Sequence, residues 1–137
     1  MKYILLIKST TDSEAGVPPT KELVEAMGAY NDELIKAGVL LGAEGLHSSA
    51  SGASIAFDGD DHEVIDGPFA EAKELIAGFW IIQAASKEEA VAWAERVPIT
   101  RGTIEVRRVV DVGDFDPGDE HIQREVARRT ENEPGFA

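Results

Sequence analysis

An α+β sandwich, with two helices on one face of an antiparallel sheet, is the fold class this sequence predicts. Three observations predict it. Two segments repeat their apolar residues at helical spacing: Leu23, Met27, Tyr30 and Leu34 in the first, Ala90, Trp93, Ala94 and Val97 in the second. Short apolar or β-branched runs flank both, at residues 2–7, 39–46, 78–84 and 103–110. Between the middle two runs lies "SIAFDGDDHEVI", two short strands around an Asp58-Gly59 turn signal.

Taken in order, "KYILLI" is short and rich in apolar and aromatic residues, as a buried strand is. A polar loop containing "GVPPT" leads to the first helix, near residues 20–37, with Thr20 positioned to cap its start and Gly38 its end. "VLLGAEGL" reads as a strand in which Gly42 and Gly45 weaken pairing or mark a bulge. A serine-rich loop, "HSSASG", precedes the hairpin, and "GFWIIQA" is the next strand. Ser86 and Glu89 form an S-x-x-E capping box for the second helix, near residues 86–97, and Pro98 stops it. "TIEVRRVV" is the last strand, β-branched at many positions. This order is that of a ferredoxin-like sandwich with an inserted hairpin. The uncovered sheet face predicts a twofold pairing of copies, a dimeric α+β barrel.

The domain runs over residues 1–110, and residues 111–137 form a charged extension whose Asp116-Pro117 reads as a helix start, with Ile122 and Val126 one turn apart. A chain of 137 residues is enough for one core and too short for two.

Charge and composition exclude several functions. The formal charge of −13 repels phosphate backbones, so no direct nucleic-acid binding is expected, and Arg101, Arg107 and Arg108 read as strand-borne arginines balancing an acidic surface. The absence of cysteine excludes a disulfide framework, a thiolate metal site and a cysteine nucleophile, and fits a reducing cytoplasm. "YILLI" is too short for a signal-peptide core, and nothing approaches the ~20 apolar residues of a membrane span, so the protein reads as cytoplasmic with no membrane partner. There is no G-x-S-x-G, P-loop, H-E-x-x-H or complete dinucleotide fingerprint, so no cofactor is expected.

The segment "VIDGPFAEAKELIAGFWIIQA", with "YNDELIKAGVLLGAEGLHSS" upstream, resembles the signature of the DGPF branch of the YCII-related proteins. That resemblance implies a ferredoxin-like fold that dimerises through its sheet. It also implies a place among proteins that occur beside extracytoplasmic-function sigma factors, and a distant likeness to cofactor-free enzymes with a His–Asp pair. The relatives' histidine lies on the first helix, where this sequence has none, so Asp66 maps onto the acidic half and His47 is the substitute.

For the residues themselves, Asp66-Gly67-Pro68-Phe69 is first a turn, since Asp bonds nearby backbone, Gly admits tight geometry and Pro fixes a dihedral. Phe69 reads as a packed anchor that holds Asp66 in place. Glu71 and Lys73 are either surface charges or tuners of a pocket, because a desolvated Lys73 near Asp66 favours the ionised base. His47 follows a strand and opens a loop, a position that often carries function. His62 sits among Asp60, Asp61 and Glu63, but strand neighbours alternate faces, so no metal site is expected. His121 reads as a solvated tail residue. Two functions follow: a small-molecule-binding protein acting as a cofactor-free lyase or isomerase through Asp66 and His47, or a non-catalytic interaction or ligand-sensing module connected with sigma-factor regulation.

Overall fold

The computed structural model describes residues 1–69 and 71–132, without the side chains of Lys73 and Asn132. The chain runs β1 (Lys2–Lys8), α1 (Thr11–Glu14), α2 (Lys21–Lys36), β2 (Leu40–Gly45), β3 (Ala53–Asp58), β4 (Asp61–Asp66), β5 (Ile76–Gln83), α3 (Lys87–Glu95), β6 (Ile104–Arg108) and α4 (Glu120–Asn132). Four strands form one antiparallel sheet in the order β2-β5-β1-β6. Each of the two long connections between parallel neighbours-but-one carries a helix, which is the ferredoxin-like arrangement. β3 and β4 form a separate two-stranded sheet, the inserted hairpin.

Alternation along the strands decides the two faces. Tyr3 and Leu5 of β1 and Trp80 and Ile82 of β5 point to one side and are buried with Tyr30, Leu34, Ala90 and Val97 from the helix layer. The cap residues act as the sequence indicates: Thr20 Oγ1 accepts from the Leu23 amide, and Ser86 Oγ accepts from the Glu89 amide. Glu89 reaches one residue further than a capping box requires and accepts from the Ala85 amide at 2.8 Å. The opposite sheet face carries the half-buried pairs Ile4 with Ile81 and Leu6 with Phe79.

Three local expectations need correction. The loop after β1 contains a helix, α1, closed by a reciprocal capping box between Thr10 and Ser13. In the hairpin the two loop residues are Gly59 and Asp60, not Asp58 and Gly59; Gly59 has φ +61°, the positive angle a two-residue hairpin loop demands of its first residue. In the extension, Asp116 turns the chain by accepting from the Gly118 amide, while Asp119 accepts from the His121 amide and α4 begins at Glu120.

Candidate functional site

The signature turn is built by a network that starts far from it in sequence. Glu14, the last residue of α1, accepts the Ser49 hydroxyl at 2.5 Å and the Ser49 amide at 2.9 Å. The Ser49 hydroxyl oxygen in turn accepts the Phe69 amide at 2.9 Å, and Ser48 donates its hydroxyl to the Glu14 carbonyl oxygen at 2.6 Å. A Gly67 N–H bond to the Gly52 carbonyl closes the root of the hairpin. Gly67 passes so close to this loop that an added Cβ would lie 1.7 Å from the Ser49 carbonyl oxygen. The glycine of the motif is therefore there for backbone approach, and the Glu14 carboxylate holds Ser49, which in turn holds the Phe69 amide.

Donation by the Ser49 hydroxyl, and then by its amide, holds the Glu14 carboxyl below its ordinary value of 4.5. A lowered carboxyl stabilises the fold above its unfolded-state pKa, and that stability is lost as pH falls through the folded-state value. Glu14→Gln should therefore have a flatter stability profile than the wild type below about pH 4.5. Urea midpoints measured from pH 7 down to pH 3 check this, and parallel profiles would refute it.

Asp66 ends β4 opposite Ala53 and is exposed. His47 follows β2 and is also exposed, and no hydrogen bond or ion pair joins the two among the described residues. Phe69 is half-buried through the Ser49 brace, Glu71 is exposed at the head of a single 3-10 turn, Ala72–Glu74, and the Lys73 side chain lies outside the described residues. Among the described residues no group of His, Asp or Glu is arranged to hold a metal.

Of the clefts on the surface, two are described, and among the described residues Asp66, His47, Phe69 and Glu71 line neither. One, of about 570 Å³, opens on the helix side, where the end of β1 meets the start of α2 and the loop after α3. Its walls are apolar, from Ile7, Leu23, Ala26, Met27 and Ile99, and its polar lining includes the cations Lys8 and Arg101, the carboxylate Glu22 and Thr10. Three of the hydroxyls around it are already committed: Thr10 and Ser13 cap α1, and Thr20 caps α2. Lys8 faces Glu105 at 3.9 Å. Arg101 is exposed in the turn before β6, outside any strand, with no ion-pair partner among the described residues. Sequence reasoning placed Arg101 on a strand as a balancing charge, and it gave no signal for Glu14 and Ser49, which sit in segments that looked like plain polar loops. The second cleft, of about 700 Å³, lies between α4 and the open sheet face.

Residues 1–113 match the family model of the YCII-related domain. An uncharacterized protein of Rhizobium meliloti (strain 1021) is 32% identical over 91 residues, which are 64% of this chain and 73% of that protein. No helix among the described residues is long and apolar enough to cross a membrane.

Proposed function

This chain belongs to the YCII-related family, and we propose that it is a small-molecule-binding protein whose helix-side cleft takes a small organic acid with an apolar, ring-sized body. The carrying observation is the pairing of apolar walls with an uncommitted guanidinium, Arg101, at the cleft lined by Leu23, Ala26, Met27 and Ile99. Ligand sites of a few hundred Å³ are mostly apolar with few orienting polar groups, and a guanidinium meets a carboxylate with two parallel hydrogen bonds. In a chain of charge −13, an anion needs such a local cation to approach at all. The proposal is binding; it assigns no turnover, because Asp66 and His47 stand outside the cleft.

Phenylacetate is a suitable probe, followed by amide chemical shifts. Shifts are expected to concentrate at Thr10, Leu23, Arg101 and Gly102, all at the cleft. Arg101→Gln should weaken binding about tenfold, the worth of one charge-assisted hydrogen bond, and Ala26→Trp should abolish it by filling the space. Shifts scattered over the surface, or an unchanged affinity in both variants, would sink the proposal.

A further inference from the structure

The helix-side cleft presents one charge of each sign that nothing in the described chain neutralises. Its lining holds two cations, Lys8 and Arg101, and one carboxylate, Glu22. Lys8 is engaged, with Glu105 at 3.9 Å and the Glu74 carbonyl oxygen at 3.5 Å. On α2 the charges beside Glu22 satisfy each other, since Lys21 faces Glu25 at 3.8 Å. The Glu22 carboxylate and the Arg101 guanidinium have no hydrogen bond or ion pair among the described residues, whether with each other or with a third group. Two opposite charges border one apolar space without meeting.

The backbone under each charge is fixed. Thr20 Oγ1 accepts from the Leu23 amide, which sets Glu22 in the first turn of α2, and Glu22 and Ala26, four residues apart, share the helix face that borders the cleft. Arg101 sits in the turn between Ile99 and β6. Its neighbour Gly102 has φ +102°, and the Lys8 amide donates to the Thr103 carbonyl at 3.0 Å, tying that turn to β1.

A plain acid uses only half of this arrangement. Its carboxylate meets Arg101, while Glu22 stays unpaired at the cleft and repels it. An ammonium on the same ligand turns that repulsion into attraction. It also makes the ligand neutral overall, so a chain of formal charge −13 does not oppose its approach. We propose, on the premise that this cleft is the ligand site, that its ligand is a zwitterion: an amino acid with an apolar, ring-sized body, its carboxylate on Arg101 and its ammonium on Glu22. Glu22 then selects amino acids over plain acids, because the ligand that lacks the ammonium leaves a like charge facing its own.

Matched ligands that differ by one ammonium test this. Phenylalanine is compared with 3-phenylpropanoate, and 4-(aminomethyl)phenylacetate with 4-methylphenylacetate, the two pairs holding amine and acid at different separations. Affinities are read at pH 7 by titrating the amide shifts of the whole chain. In at least one pair the zwitterion is expected to bind about fivefold tighter, the upper end for a charge pair open to solvent. Glu22→Gln should close that gap by weakening the zwitterion while the plain acid binds as tightly as before or tighter, and Arg101→Gln should weaken both. Plain acids that bind as well as their zwitterions in both pairs overturn the proposal and leave the cleft an acid site. A gap that survives Glu22→Gln overturns it too. So does a Glu22→Gln protein that loses both ligands of a pair equally, since that result assigns Glu22 to the start of α2 alone, where a carboxylate suits the helix dipole. If no acid of either kind binds, the ligand site itself falls, and the zwitterion with it.

Discussion

Gly67→Ala is expected to destabilise the protein by about 3 kcal/mol, the upper part of the range for forcing atoms into filled space. The added methyl would meet the Ser49 carbonyl oxygen at 1.7 Å and its carbon at 2.6 Å, both backbone atoms with no rotamer to change. Nor can Ser49 retreat, because its amide and hydroxyl are both bound to Glu14. Either the hairpin root opens or the brace breaks. Urea denaturation measures the loss, and amide exchange tells which: faster exchange at Gly67 and Phe69 marks failure of the two bonds that close the root. A variant within about 0.5 kcal/mol of the wild type, the range of an inconsequential surface change, would remove close approach as the reason for the glycine.

What could be read from the sequence was what depends on local chemistry. Leu23, Met27, Tyr30 and Leu34 declared a helix by their spacing, Thr20 and Ser86 declared helix starts by an oxygen in reach of the amide three residues on, and each is found in that role. The hairpin was visible because Gly59 is the residue type a two-residue loop needs, though the loop is shifted by one. α1 was not visible, because four residues without a buried side chain leave no apolar period to detect. Asp116 misled for the same reason that Asp119 succeeds: both accept from the amide two residues on, and only the backbone beyond decides which one opens a helix.

The functional surfaces were harder to read because they join distant residues. Glu14 meets Ser49 across 35 positions, and Arg101 shares a cleft with Leu23 and Met27 only after the sheet has ordered β1 between β5 and β6. No spacing rule connects such positions. The signature itself was legible as a turn, which is the part its own four residues determine, while the residue it leans on, Ser49, lay in a loop that read as merely small and polar.

Leu34→Ala is expected to cost about 3.5 kcal/mol, in the middle of the range for deleting a fully buried leucine. Leu34 is 0% exposed and, with Tyr30, is the buried part of α2 that fastens the helix to the sheet. The cost depends on whether the surroundings can close over the space, and here they are pinned. The Tyr30 hydroxyl donates to the Trp93 carbonyl at 2.8 Å, and the Trp80 indole N–H donates to Asn31 Oδ1 at 2.7 Å. The two rings stand edge to face with centroids 5.4 Å apart. Moving either ring inward would break a hydrogen bond to gain packing, so most of the cavity should remain. Alanine is the best helix former, so the loss reports packing and not helix propensity. Ile35→Ala is the internal control: Ile35, next to Leu34 on the outer face, is 61% exposed, and its truncation should change stability by less than about 0.5 kcal/mol. Equal urea midpoints for the two variants would show that α2 is not anchored through Leu34. Leu23 and Met27 lie on the same helix and line the helix-side cleft, so a loosened α2 should also bind phenylacetate more weakly at denaturant-free equilibrium, whereas Ile35→Ala should bind as the wild type does.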